Sequence, residues 1–308
     1  MSSVSSVRPF QLIAAPFTPM NADGSVQYSQ IGATAEFLRA GGVDGVFIAG
    51  TTGEGMSMTM AERKKLAEAW REAAGALKVI VHVGHLCLSD ARELARHAES
   101  LGVAGVAAIG PCFFSVSSAE ILAEYCQEIA AGAPQTPFYY YHIPSMARVQ
   151  LRASEAFPEL VKRVPTFAGI KFTHEDLEDY RRCLELADGR QEIFFGRDEL
   201  LIEGLAIGAT SAVGSTYNFA APMYRQLIQA VAAGDREAAA KWSELTVEGI
   251  RRMIQHGGMA AFQAAMELAG QPVGELRLPL RALSPAGREQ LRKSLDEIGY
   301  FDALAQLK

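Results

Sequence analysis

Short, wholly apolar runs punctuate this chain, and longer stretches with helical spacing of apolar residues separate them. One arrangement occurs three times: Leu38-Arg-Ala-Gly-Gly-Val-Asp-Gly-Val-Phe-Ile-Ala-Gly50, Leu101-Gly-Val-Ala-Gly-Val-Ala-Ala-Ile-Gly110 and Leu205-Ala-Ile-Gly-Ala-Thr-Ser-Ala-Val-Gly214. In each, a helix ends at glycine, which supplies a left-handed cap. A tight connection follows, and a short apolar strand runs to another glycine. Because these strands are continuously apolar rather than alternating, they predict burial on both faces and hence a parallel sheet. Further strands are predicted at Leu12–Phe17, Val79–Val83, Phe138–His142, Ala168–Lys171 and Glu192–Phe195. Between them Ala61–Ala74 and Ala91–Ser100 are alanine-rich with helical periodicity. Thr59 is a candidate N-cap, with Glu62 three residues on completing a capping box.

Eight strands by Gly214, one every ~25–30 residues, predict an α/β fold of the (β/α)8 TIM-barrel type. A Rossmann sheet would need fewer strands and a Gly-x-Gly-x-x-Gly turn after the first, and none follows Leu12–Phe17. The eighth helix is predicted at Pro222–Ala233. The remaining sequence exceeds what a barrel needs and reads as helices at Arg236–Gln255, Ala260–Ala269 and Pro285–Ile298. The expected organisation is a barrel over residues 1–233 and a C-terminal helical extension over 234–308. No low-complexity linker marks the extension as an independent domain, so it is expected to pack on the barrel.

Composition narrows the function. The 308 residues are 49% hydrophobic and 21% charged, as expected of globular domains. A net charge of -6 without a long basic run argues against nucleic acid and anionic membranes as partners. No apolar run approaches the ~18–20 residues of a membrane span. Met1 to Phe10 carries one arginine and no signal-peptide core. Cys87, Cys112, Cys126 and Cys183 are widely spaced and form no Cys-x-x-Cys pair, which reads as reduced thiols of a cytoplasmic protein.

A barrel carries its chemistry at the C-terminal ends of the strands. Lys171 ends the sixth strand there. A buried amine is costly to keep charged and is a nucleophile when neutral, and its natural partner is a carbonyl. The plainer reading is a strand-end lysine that reaches solvent or pairs with a carboxylate. After the second strand, Gly50-Thr51-Thr52-Gly53-Glu54-Gly55 offers successive backbone N–H groups and two hydroxyls, a nest for a small anion. The Gly-Lys-Ser/Thr ending of a phosphate loop is absent, so a carboxylate fits better; a turn with no ligand is the alternative. Tyr141, after strand five, is a candidate proton carrier. Asp198 and Glu199, after strand seven, suit a polyol or simply start a helix. His82 and His85 with Cys87 lack a further ligand at a metal-binding spacing, although His85 is placed at the pocket mouth. His97, His174 and His256 read as surface residues. An amine to condense with a keto group, a nest for the adjacent carboxylate and a phenol to move protons together describe aldol chemistry on a pyruvate-type 2-oxo acid, with the protonated imine as electron sink.

At these residues the sequence resembles the pyruvate-dependent class I aldolases, the family that contains dihydrodipicolinate synthase and N-acetylneuraminate lyase. Ala15-Pro16-Phe17-Thr18-Pro19, Gly50–Glu54, Tyr141, Lys171 and Gly214-Ser215 match its shared motifs in order. Gly50–Gly55, Phe138–Pro144, Phe195–Glu199 and Ala212–Asn218 resemble its sialic acid-cleaving branch. The resemblance implies a Schiff base on Lys171, proton relay by Tyr141, and Thr51 and Thr52 on the pyruvyl carboxylate. It implies a sugar-like tail on Thr173, Gly196, Asp198, Glu199 and Ser215, and a backbone contact from Val213 near the imine. It also implies no metal or organic cofactor, a homotetramer, and reversible cleavage of N-acetylneuraminate to N-acetylmannosamine and pyruvate.

Three positions depart from the family pattern. Met146 replaces the arginine with which the synthases hold a second carboxylate. Arg148 stands where the lyases carry glycine in the run Ser145-Met146-Ala147-Arg148, adding bulk and positive charge beside the expected pocket. Phe113 and Phe114 occupy the region where many relatives carry a relay tyrosine. Arg148 is the feature that favours a rival aldolase or hydratase acting on a 2-oxo-3-deoxy sugar acid or a dicarboxylic oxo acid. A non-catalytic 2-oxo acid binding protein on the same fold is the alternative from another class.

Overall fold

The computed structural model describes residues 9–307; most of the Met1–Phe10 segment therefore lies outside the described residues. Eight parallel strands close into a barrel in sequence order: β1 (Gln11–Ala14), β2 (Gly45–Ile48), β3 (Lys78–His82), β4 (Gly105–Ile109), β5 (Phe138–His142), β6 (Phe167–Phe172), β7 (Glu192–Phe195) and β8 (Ser211–Gly214). The ring closes where Ile13 of β1 pairs with Val213 of β8. The helices between them are α1 (Ile31–Ala40), α2 (Met60–Ala73), α3 (Leu88–Ser100), α4 (Ala119–Ala130), α5 (Ala153–Arg163), α6 (Leu177–Ala187) and α7 (Leu201–Ile207), with α8 (Tyr217–Ala233) after β8. Strands β2, β4, β5 and β8 are buried throughout their length and the other four at all but one position, as continuous apolar runs require. The glycines of the threefold pattern do sit in left-handed conformations where the helices end, with φ of 85° at Gly42, 64° at Gly102 and 112° at Gly208. Thr59 and Glu62 form the expected capping box on α2.

Two boundaries differ in ways that matter. Helix α8 begins at Tyr217, five residues before the predicted Pro222, which sits inside the helix. Proline is favoured in the first turn, where its missing N–H costs nothing, and that preference misplaces the start; the turn before Pro222 is filled by buried Tyr217, Asn218 and Phe219. Strand β6 extends through Phe172, so Lys171 is its penultimate residue rather than its last.

Strands β5 and β6 pair irregularly. Phe138 is opposite Phe167, but Tyr139 is opposite Gly169, so Ala168 is an extra residue on β6. That bulge shifts the register by one, and it sets Lys171 beside Tyr141. Side chains alternate between faces along a strand, so without the extra residue Ile170 would stand there and Lys171 would face the helices. Gly169 makes the bulge possible: its φ is 150°, and a Cβ there would lie 1.8 Å from the backbone oxygen of Glu192.

Beyond α8 come α9 (Arg236–Gln255), α10 (Met259–Leu268), α11 (Pro285–Asp296) and α12 (Tyr300–Ala305). Helix α9 packs along α8, and a segment between α10 and α11 returns to the loops at the top of the barrel. There Met20 N–H donates to Val273 O at 3.0 Å, and the Arg277 N–H donates to the Glu54 carboxylate at 2.9 Å. The Arg277 guanidinium reaches Gly24 O and Ser57 O, each at 2.8 Å, and pairs with Glu62.

Gly169→Ala is expected to cost about 2–4 kcal/mol through backbone strain and the collision with Glu192. The midpoint of denaturant unfolding reads it; an unchanged midpoint would mean that the bulge tolerates a side chain.

Candidate active site

Lys171 is 5% exposed, at the C-terminal end of the barrel interior. Its Nζ lies 3.8 Å from the centroid of the Tyr141 ring and 4.3 Å from that of Phe47. Phe47, on β2, meets Tyr141 edge to face at 5.5 Å, so two aromatic faces confine the amine. The Tyr141 hydroxyl is 3.3 Å from Thr51 Oγ, and Thr52 Oγ is 2.6 Å from Ser215 Oγ. The Thr51-Thr52 turn is thereby tied to β5 on one side and to β8 on the other.

Behind this group lies a polar support that the sequence does not announce. The buried His82 ring packs edge-on to Tyr141 at 5.9 Å. Burial, reinforced by the nearby cations of Arg63 and Lys171, pushes the His82 imidazole well below its usual range, so the ring is neutral. Its Nδ1 then donates to Ala49 O at 3.1 Å and its Nε2 accepts from the Ile109 N–H at 3.3 Å. Arg63, 2% exposed on α2, donates to Gly84 O at 2.7 Å and also to His82 O. These bonds satisfy the backbone where β3 ends.

The opposite wall is built on β7 and β8. Asp198 opens a single 3-10 turn, Asp198–Leu200, after β7. Its Oδ2 accepts from the Thr216 N–H at 2.8 Å and from the Thr216 hydroxyl at 2.6 Å. Burial, opposed by those two bonds and aided by the charge of Glu199, pushes the Asp198 carboxyl up to about 6. Its Oδ1 lies so close to β8 that a Cβ on Gly214 would sit 1.9 Å away, so a side chain at 214 would displace Asp198. Glu199 pairs with Arg197 at 2.8 Å, and Arg197 lies 4.0 Å from Glu175. The Thr173 hydroxyl is buried without a hydrogen-bond partner among the described residues, an acceptor and donor left for a bound molecule.

Thr51, Thr52, Tyr141, Lys171, Thr173, Gly196, Asp198, Glu199, Val213 and Ser215 all line a single cavity of about 300 Å³. Ala15, Ile143 and Gly214 fill the lining between them. Arg197 and Thr216 belong to it, and so do four apolar side chains of the C-terminal helices: Ile250 and Ile254 from α9, Met259 and Phe262 from α10. Thr216 adjoins a recognised motif, but nothing in the spacing of α9 and α10 distinguishes a cavity wall from an ordinary helix face. Arg148, expected beside the pocket, is exposed and absent from the lining. Its backbone is held between Pro111 O, at 2.8 Å, and the Val116 N–H, at 3.0 Å, which turns the segment toward the neighbouring loop. His97, His174 and His256, read as surface residues, are each partly buried. His97 pairs with Glu68 at 2.9 Å, and His174 packs edge-on to His142 at 5.8 Å.

The family model described as the dihydrodipicolinate synthetase family matches residues 8–298. The N-acetylneuraminate lyase of Gallus gallus is 40% identical over 297 residues, covering 94% of this chain and 96% of the relative. That of Homo sapiens is 39% identical over 300 residues, covering 94% of each chain. The solved structure of Proteus mirabilis N-acetylneuraminate lyase superposes with a TM-score of 0.91 at 42% identity, covering 94% of this chain and 99% of that one.

The raised Asp198 carboxyl predicts a pH signature. With a folded value of about 6 against an ordinary 3.8, the fold favours the protonated form. The stability this group contributes is full below about pH 4 and is lost as pH rises through about 6. Asp198→Asn cannot ionise, so its melting temperature relative to the parent protein should climb between pH 4 and 6 and level off above. A difference that stays flat with pH would show that burial does not set this carboxyl.

Proposed function

The chain belongs to the dihydrodipicolinate synthetase family, and we propose that it is a Schiff-base aldolase that reversibly cleaves N-acetylneuraminate to N-acetylmannosamine and pyruvate. The observation that carries this reading is one cavity holding a buried lysine between two aromatic rings, a phenol beside it, a hydroxyl-bearing turn, and a carboxylate wall. The lyase relatives, similar over nearly the full length, support the substrate.

Lys171 Nζ adds to the keto carbon of the open-chain sugar acid and expels water to form an imine. The hydroxyls and N–H groups of Thr51 and Thr52 take the adjacent carboxylate, which fixes the keto carbon over the amine. Tyr141 removes the proton from the C4 hydroxyl as the C3–C4 bond breaks, and the protonated imine accepts the electron pair as an enamine. The same phenol returns a proton to C3, and water then releases pyruvate from Lys171. Thr173, Gly196, Asp198, Glu199 and Ser215 receive the hydroxylated tail, and the backbone at Val213 lies near the imine. The covalent imine does the work of an electron sink, so the reaction needs no cofactor.

Residues 234–308 are read as an extension that completes the barrel rather than an independent domain, supported by the cavity side chains of α9 and α10. A homotetramer is supported by exposed apolar groups on adjoining loops: Leu86 at 69%, Phe113 at 74%, Phe114 at 78% and Met146 at 55%. Among the described residues no helix is long and apolar enough to cross a membrane, and a cytoplasmic location is in keeping with reduced cysteines. No observation favours the dicarboxylic rival, because its one support, Arg148, stands away from the cavity.

Borohydride trapping with N-acetylneuraminate alone tests the reading. A pyruvyl adduct on Lys171 is expected, and Lys171→Ala should show neither adduct nor turnover. An adduct from added pyruvate but none from the sugar acid would move the substrate elsewhere. Tyr141→Phe should lower kcat by about 10²–10⁴ while still forming the adduct; undiminished kcat would remove the phenol from the proton path.

A further inference from the structure

Asp198 is held by a chain of hydrogen bonds that starts outside the cavity. Thr216 is 1% exposed and Tyr224, two turns further along α8, is 0% exposed. The Thr216 hydroxyl spends its only proton on Asp198 Oδ2, at 2.6 Å. The contact of 2.7 Å between Thr216 Oγ and the Tyr224 hydroxyl must therefore be donated by Tyr224. Proton donation runs in one direction, from Tyr224 to Thr216 to Asp198.

This wire is selective. Three buried tyrosines lie close enough to Asp198 to feel its charge: Tyr217 and Tyr224 on α8, and Tyr300 on α12. Among the described residues the hydroxyls of Tyr217 and Tyr300 have no partner, whereas that of Tyr224 is bonded to Thr216. Oδ2 receives two donors and among the described residues no donor reaches Oδ1, so the carboxylate is turned with one oxygen anchored and the other free. The remaining charged neighbours are Glu199 on the same turn and Lys171 on β6. Helix α9, which packs on that turn, brings no ionisable side chain on its buried face.

We propose that Tyr224 is a positioning residue: acting through Thr216, it fixes the rotamer of Asp198 and keeps Oδ1 presented to a hydroxyl of the sugar-acid tail. The proposal rests on the reading of the site as a sugar-acid aldolase, but its first test does not. Hydrogen bonds that converge on a carboxylate favour its ionised form, so removal of the Tyr224 hydroxyl should make Asp198 harder to ionise.

The experiment compares Tyr224→Phe, which keeps the ring, with Tyr300→Phe, which deletes an equally buried but unpartnered hydroxyl. The Asp198 carboxyl is followed by 13C NMR titration and assigned with Asp198→Asn. Tyr224→Phe should move its midpoint upward, and Tyr300→Phe should leave it in place. In turnover, Tyr224→Phe should raise KM for N-acetylneuraminate about three- to tenfold, with the low-pH rise in KM beginning at a higher pH. The pyruvate dependence of borohydride trapping on Lys171 should stay as it was. Thr216→Val should reproduce the effect, and Thr216→Ser, which keeps the hydroxyl, should behave as the parent protein.

An unmoved Asp198 midpoint in Tyr224→Phe overturns the proposal, and so does an equal shift in Tyr300→Phe. If the midpoint moves as expected but the parent protein does not cleave N-acetylneuraminate, the wire stands and the substrate assignment fails.

Discussion

Everything at the reactive centre depends on one extra residue in β6. Parallel strands in register present side chains to the same face, so Tyr141 and Lys171 share the barrel interior only because Ala168 is unpaired. The amine, the phenol and the Phe47 ring then meet within a few ångströms. Glycine at 169 is the local condition for that geometry, since any Cβ there collides with the neighbouring strand. The bulge determines which residue reacts, and the loops around it determine what it reacts with.

The two walls of the cavity differ in chemistry and in origin. The barrel contributes hydroxyls and carboxylates, each braced by a neighbour in the same wall: Thr52 by Ser215, Asp198 by Thr216, Glu199 by Arg197. The C-terminal helices contribute Ile250, Ile254, Met259 and Phe262. A ligand with hydroxyls along one edge and an apolar acyl group on the other matches that division, because polar groups buried without partners are costly while apolar contact is not directional.

Much of this was legible in the chain. Continuous apolar strands ending in glycine identify a parallel sheet, and their number implies a barrel. The strand count puts Lys171, Tyr141, Thr51, Thr52, Asp198 and Glu199 at strand ends, where barrel chemistry is built, and the family resemblance adds Thr173, Gly196, Val213 and Ser215; all ten line one cavity. What escaped depends on long-range packing. His82, which the sequence leaves without a role, proves to be a neutral support bonded to Ala49 and Ile109, residues of two other strands' ends. Arg148 is expected beside the pocket because it stands where the lyases carry glycine, yet its backbone is bonded to Pro111 and Val116 and the residue is exposed outside the cavity. The helix faces of α9 and α10 carry no local mark of the cavity they wall, because helical periodicity says which side is buried and not against what.

The tie between Arg277 and Glu54 has a consequence for how the molecule is made. A ribosome delivers the strands in order, and domains fold from the N-terminus as they emerge, at about 5–20 residues per second. Lys171 precedes Arg277 by 106 positions in the chain (277 minus 171), so the reactive amine exists for roughly 5–20 s before the segment that braces the Thr51-Thr52 turn has been synthesised. Through that interval Glu54 lacks its partner at Arg277 and the apolar wall is unfinished, so a nascent chain carries the nucleophile without a finished binding site. The binding site is thus finished by the part of the chain that is made last.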